Sequence, residues 1–273
     1  MTFLERIFIK IIKNLDSEIR FGLMYSGGLD SSIIAKILLK TVKSNFISFI
    51  TVGEERSYDL INAIQGAEKL GIELKQCILT YNKVRDSIKD LKKFKYIQTP
   101  KDLSIAIPLY LGLKELVKEN LAIQVFLGQG ADEIFGGYNR YELLFKKKSE
   151  EKIKQQMKLD LNILRSNQLK MEKEIANNVG IDLIYPYLDE QLIEYAQRLP
   201  YNKLLRENGF GEIIRKVYLR EVAANLALPD DIISQRKKAI QYGSNTIKLM
   251  RVIAKADGFE NIRIWFQKEY QNM

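Results

Sequence analysis

The chain predicts an α/β fold: a doubly wound parallel sheet completed by a mainly helical C-terminal half. Three observations predict it. Strand-like and helix-like segments alternate through the first half, both glycine-rich loops directly follow strand-like runs, and the strand signal fades from Tyr141 onward. The 273 residues suit one large domain or two intimately packed ones, with ample chain to bury a core. We read a single domain over 1–273, with an α/β half at 1–140 and a helical half at 141–273. No low-complexity linker separates the halves, and no internal repeat is present.

Met1 to Asp16 has helical periodicity, with Phe3, Leu4, Ile7, Phe8, Ile11 and Ile12 on one face. Such a face is expected to pack on the core rather than on a membrane surface. Strands are expected at Ile19–Tyr25, Phe46–Val52, Leu74–Leu79 and Gln124–Leu127. Helices are expected at Ser31–Val42, Ser57–Leu70, Lys83–Lys93 and Pro108–Asn120. In the second half, Leu192, Ile193, Ala196 and Leu199 carry helical spacing that Pro200 stops. Ile213, Ile214, Val217, Tyr218 and Val222 mark a further helix. In doubly wound sheets ligands sit beyond the carboxyl ends of the strands, so the two glycine loops should share that edge.

The first loop is Ser26-Gly27-Gly28-Leu29-Asp30-Ser31-Ser32. Two adjacent glycines allow a sharp turn and close approach of the backbone to a ligand. The serine hydroxyls and the free amides of the following helix then face an anion. No lysine follows as in a GxxxxGK[ST] loop, so this is not the common P-loop. The plain alternative is an ordinary Gly-Gly turn with Ser31 or Asp30 as helix cap. The second loop, Gly128-Gln129-Gly130-Ala131-Asp132-Glu133-Ile134-Phe135-Gly136-Gly137-Tyr138, follows the run Gln124–Leu127.

The SGGLDS loop resembles that of the ATP pyrophosphatases, and the Gly128–Tyr138 loop resembles the synthetase domain of the asparagine synthetase family. Tyr185-Pro186-Tyr187-Leu188-Asp189 is similar to the P-[FY]-L-D segment of that family. Leu228-Pro229 followed by Arg236-Lys237-Lys238 is similar to its LP…R-x-K stretch. The four segments occur in the family's order from Ile19 to Ser244. The resemblance implies a PP-loop fold of the adenine nucleotide alpha-hydrolase type and an AMP-forming amide ligase. In such a ligase a carboxylate, by default that of aspartate, attacks ATP to give an acyl-adenylate and pyrophosphate. Ammonia or an amine then displaces AMP. ATP and Mg²⁺ are the expected cofactors.

The resemblance also implies site residues. Ser26, Gly27, Gly28, Ser31 and Ser32 would bind phosphates, with Gly128 and Gly130 in the second loop, and Val52 would lie where the family places adenine. Asp30 and Asp132 would hold Mg²⁺, their alternative being helix or turn caps. Glu133 would either orient a metal-bound water or anchor its loop. Lys238 would contact phosphate as a mobile point charge, with a surface basic triplet as the alternative. Asp182 stands where many relatives carry Glu and would manage protons on the attacking amine. Asp189 reads better as an N-cap, and Asp102, Leu103 and Ser104 fall where relatives shape the substrate pocket. Gly136, Gly137 and Tyr138 read as structural.

Three departures bear on the substrate. Gln129 replaces an acidic residue common in asparagine synthetases, and Ile184 stands where an Arg is usual. Position 2 is Thr rather than the nucleophilic Cys of a glutaminase domain, so nitrogen is expected from free ammonia, from a substrate amine or from a separate glutaminase subunit.

Composition narrows the chemistry further. With 46% hydrophobic and 28% charged residues the chain reads as a soluble globular protein with no membrane span. It has no histidine, which excludes His triads, His metal sites and imidazole acid–base catalysis. The single cysteine, Cys77, lies in a strand-like run, reads as a core residue and fits a reducing cytoplasm. Net charge is +9, but no RNA-binding motif accompanies the lysine clusters, so nucleic acid is not expected as a partner. A tRNA-modifying ATP pyrophosphatase and a non-catalytic ATP-binding regulator are the competing readings, and a homodimer stays open.

Overall fold

A computed structural model describes residues 1–16, 18–42, 47–147, 149–235 and 240–270. Helix α1 (Phe3–Lys13) opens on a capping box between Thr2 and Glu5 and buries Leu4, Ile7, Phe8 and Ile12. The alternating half follows as β1 (Phe21–Met24), α2 (Leu29–Thr41), β2 (Ile47–Gly53), α3 (Tyr58–Leu70), β3 (Leu74–Ile78), α4 (Tyr81–Leu91), α5 (Pro100–Lys118) and β4 (Gln124–Phe126). Then come α6 (Ala131–Phe135), α7 (Asn139–Lys146), α8 (Glu150–Ile163), a π-helical turn at Leu164–Gln168, α9 (Leu169–Val179) and β5 (Asp182–Ile184). The remainder comprises α10 (Glu190–Arg198), the hairpin β6 (Leu205–Glu207) and β7 (Ile213–Arg215), α11 (Val217–Asn225), α12 (Asp230–Ser234), α13 (Ile240–Gly243), α14 (Thr246–Ala256) and α15 (Ile262–Tyr270).

The main sheet has the order β3-β2-β1-β4-β5, and every pairing in it is parallel. Phe21 lies opposite Ile47 on one side and Gln124 on the other, so β1 and β4 run side by side in the centre. The chain moves outward from β1 to β3 and returns to the other side at β4. The crevice above β1 and β4 is therefore the topological switch point, where a doubly wound sheet binds ligands. Both sheet faces are covered, which explains the mainly apolar character of the central strands. One core gathers α1, α2, α10 and α11 around Leu23 and Phe126; the other gathers α4, α5, α9, α14 and α15 around Ile50 and Val125. Cys77 is buried among the second set. No helix among the described residues is long and apolar enough to cross a membrane.

The four expected strands all form, with ends within a few residues of the expected ones; Phe46 lies outside the described residues. Two features differ. The helix expected from Pro108 begins at Pro100, because Thr99 and Asp102 form a capping box and proline at the first position suits a helix start. Pro108 sits inside that helix, where it removes one backbone bond and packing carries the cost. Asp102 thus caps its own helix, accepting from the Thr99 amide at 3.0 Å, rather than shaping a pocket. The second difference is three short strands in the helical half. β5 joins the main sheet, and Ile213 and Ile214, read as helical, form β7. Three-residue strands are too short to show alternation.

The C-terminal helix is docked by Trp265, only 2% exposed, whose indole donates to Asp257 at 3.0 Å. Asp257 also accepts from Arg85 on α4 at 2.7 Å, so one carboxylate joins α4, α14 and α15. Trp265→Ala is expected to cost about 3–5 kcal/mol in a urea titration, while Asp257→Asn, which keeps the packing, should cost far less.

Candidate active site

The loop after β1 is held by its own serines. Gly27 has φ +70°, and a side chain there would collide with the backbone of Asn62 and Ala63 on α3, so only glycine fits. Ser31 donates to the Gly28 carbonyl at 3.2 Å and lies 3.2 Å from the Ser26 hydroxyl. Asp30 enters the first turn of α2, and Tyr187, from the expected Pro-Tyr-Leu-Asp segment, donates to its carbonyl at 3.0 Å. Ser32 faces the other way: fully buried, it meets the Tyr25 hydroxyl at 3.2 Å. Its expected phosphate role is corrected accordingly, because helical rotation turns it from the crevice into the core.

The loop after β4 brings Asp132 to the same place. Lys216 reaches between the two loops, its ammonium 2.6 and 2.8 Å from the Asp30 oxygens and 2.7 Å from Asp132 Oδ1. It is 4% exposed and sits at φ +56° between β7 and α11, a left-handed conformation that non-glycine residues rarely adopt. Gly137 completes the arrangement, since a side chain there would strike both the Asp132 carboxylate and the Lys216 stem. Burial pulls the Lys216 ammonium below the usual lysine range, and the Asp30 carboxylate opposes that pull. Sequence reasoning missed Lys216. Its one signal is a pair of charges, Arg215-Lys216, interrupting the apolar run from Ile213 to Leu219.

A cavity of about 300 Å³ opens beside these groups. Ser26, Asp30, Ser31, Gly128 and Asp132 line one side, and Ile50, Thr51 and Val52 from the end of β2 line another. Helix α5 contributes Lys101, Ile105 and Leu109, one stripe at helical spacing, in place of the expected Asp102, Leu103 and Ser104. A smaller cavity of about 90 Å³ lies on the far side of the Ser26–Asp30 loop, walled by Arg215, Lys216 and Arg220. Arg220 also donates to the carbonyls of Ile233 and, at 3.3 Å, Gln235. Burial, followed by repulsion from Arg215, lowers its affinity for its proton.

Several expected residues are not brought to the cavity. Asp182 is the exposed first residue of β5, paired with Gln124 at the start of β4. It lies at the amino edge of the sheet, opposite the loops, and its proposed proton-handling role is corrected on that ground. Gly27 and Gly130 shape their loops without lining the crevice; Gly130 has φ +95° and rests on Leu188. Glu133 points to the other side of α6, into an apolar cavity of about 270 Å³ with Met157 and Leu161. Its carboxylate accepts from Tyr138 at 2.5 Å, and burial pushes its proton affinity up. Loop anchoring is the reading this geometry supports. Lys238, with Arg236 and Lys237, lies outside the described residues. Asp189 caps α10, accepting from the Gln191 amide at 2.9 Å.

One carboxylate in the cavity was not anticipated. Glu172, on α9, is 3% exposed and accepts from Gln129 and Gln168, each at 2.9 Å. Burial raises its pKa from 4.5 to about 7, opposed by the Gln168 and Gln129 amides and by the nearness of the Tyr185 hydroxyl.

A parallel sheet in 3-2-1-4-5 order with an SGGLDS loop at its switch point defines a PP-loop domain of the adenine nucleotide alpha-hydrolase type. The asparagine synthase family model matches residues 10–151 and 144–256, and the chain belongs to that family. A putative glutamine-hydrolysing asparagine synthetase of Methanocaldococcus jannaschii is 32% identical over 289 residues, covering 96% of this chain and 52% of that protein. Human glutamine-hydrolysing asparagine synthetase is 28% identical over 245 residues, covering 86% of this chain and 42% of the relative. The chain thus spans about half the length of the curated relatives it matches. Among solved structures, an NMN synthetase from Francisella tularensis aligns with a TM-score of 0.44 at 11% identity, covering 99% of this chain and 96% of that one. At that distance the likeness carries no functional information.

Two measurements test this description of the site. Lys216→Met should leave Asp30 and Asp132 facing each other without a cation, costing about 3–5 kcal/mol. Millimolar MgCl₂ should restore part of the lost melting temperature in Lys216→Met and little in the wild type. The second concerns Glu172. An acid whose pKa is raised on folding contributes stability below its unfolded value near 4.5, and that contribution is lost as pH rises through about 7. Glu172→Gln is therefore expected to gain about 2 kcal/mol relative to wild type between pH 5 and pH 8, read from denaturant titrations at both.

Proposed function

We propose that this domain is an ATP-dependent, AMP-forming amide ligase of the asparagine synthetase type. The observation that carries the reading is the convergence of Asp30 and Asp132, from two loops at the switch point, on one buried cation. Family membership supports the same chemistry. Forming an acyl-adenylate builds charge on the departing pyrophosphate, so cations and fixed donors are needed where it leaves.

Ser26, Ser31 and the amides of the first loop would hold the ATP phosphates, with the base beside Ile50–Val52 at the end of β2. Arg215, Lys216 and Arg220 line the small cavity next to that loop, which suits the departing pyrophosphate. Asp30 and Asp132 would hold Mg²⁺ once bound phosphates draw the Lys216 ammonium away from them; two carboxylates completed by phosphate oxygens and water match what that ion takes. When bound, the ion would neutralise phosphate charge. Lys101 reaches the larger cavity from α5 and would meet the carboxylate substrate, aspartate by default. Gln129 and Ile184 at departing positions leave room for another acid. Nitrogen would come from ammonia, from an amine or from a separate glutaminase.

The direct test is pyrophosphate release with Mg·ATP and ammonium, comparing aspartate with a panel of other carboxylates. AMP and pyrophosphate should appear in step with one acid, and Asp30→Asn or Asp132→Asn should reduce the rate about 10²–10³-fold. Production of ADP with every acid would overturn the AMP-forming mechanism.

A further inference from the structure

Among the acids lining the larger cavity, Glu172 stands apart. Asp30 and Asp132 are held by the Lys216 ammonium. Asp59 lies under Gly243 on the β2 side, where it also borders the smaller cavity. Glu172 is on the β4–β5 side, and its partners are uncharged. Its Oε1 accepts from two amides, Gln129 in the second glycine loop and Gln168 in the π-turn. Oε2 is buried with no hydrogen-bond partner, and so is the hydroxyl of neighbouring Tyr185. Gln168 ends the π-turn and lies four residues before Glu172, and such turns recur at functional sites. Gln129 thus supplies an amide from the second loop to a carboxylate on another helix.

We propose that Glu172 is the proton acceptor for the nitrogen nucleophile, with Gln129 and Gln168 as its positioning residues. The inference rests on the ligase reading above. As the C–N bond forms, the bond from the acyl carbon to the adenylate oxygen breaks, and AMP leaves with that electron pair. The proton released by nitrogen passes to Glu172 Oε2 and then to solvent. An acceptor for this step should titrate near the working pH, and the burial of Glu172 provides that. Other ionisable groups facing it are few. Tyr185 comes from the end of β5, Lys101 from α5, and Asp30, Asp132 and Tyr138 lie across the cavity.

The test compares wild type, Glu172→Gln and Gln129→Met in two assays, carboxylate-dependent ATP–pyrophosphate exchange and amide formation, from about pH 5.5 to 9. Ammonia and hydroxylamine serve as nucleophiles, since hydroxylamine is largely unprotonated at neutral pH. In Glu172→Gln the ratio of amide formation to exchange should fall about 10²-fold with ammonia and lose its limb near neutral pH. Hydroxylamine should restore most of it. Gln129→Met, which removes a donor from the carboxylate, should move the limb to higher pH. An unchanged ratio and pH profile in Glu172→Gln would overturn the proposal. So would equal loss of both assays with no rescue by hydroxylamine, which would make Glu172 a carboxylate-recognition group. Absence of exchange in the wild type would instead overturn the ligase reading, and this proposal with it.

Discussion

The Lys216 ammonium, buried between Asp30 and Asp132, is the contact around which the site is built. Three charges removed from water carry a large desolvation cost, and only close geometry offsets it. The surroundings follow from that requirement. Gly137 must lack a side chain because the Lys216 stem and the Asp132 carboxylate occupy the space a Cβ would take. Lys216 itself adopts a left-handed backbone, so that β7 can end and α11 begin with the side chain turned inward. Such strain persists only where the structure around it fixes it.

Around this contact the crevice divides by charge. On the side of the first loop, Arg215 and Arg220 give a cationic wall suited to phosphate oxygens. On the side of the second loop, Gln129, Gln168 and Tyr185 surround a single carboxyl with neutral groups. The same buried crevice thus holds one environment that favours anions and another that makes an acid reluctant to ionise. Enzymes that handle phosphate and protons in sequence need both, and here the β7–α11 segment supplies one while α9 and the loop after β4 supply the other.

What could be read from the sequence was local. The glycine loops are contiguous, and the strands before them are mainly apolar, so the switch point and the positions of Asp30 and Asp132 were legible. Asp182 was misread because a motif offset says nothing about which end of a three-residue strand points at the site. The register with Gln124 settles that, and register is a property of the assembled sheet. Lys216 and Glu172 were invisible for a related reason. Each is a charged residue in a helical or apolar stretch, where a solvated face is the ordinary explanation, and only tertiary packing buries them. The start of α5 was legible in principle, since Thr99-Pro100-Lys101-Asp102 is a capping signal, but Pro108 drew the boundary instead.

The Lys216–Asp30 contact also joins residues 186 positions apart. On a ribosome, chains fold from the amino end as they emerge, and both carboxylates leave the exit tunnel well before their cation. Closing so long a loop has to overcome chain entropy before any contact rewards it. The first four strands can therefore assemble while the crevice above them still lacks its central charge. Completion of this site comes late in the life of the nascent chain, when α11 docks, and the crevice becomes a report on whether the distant half has folded.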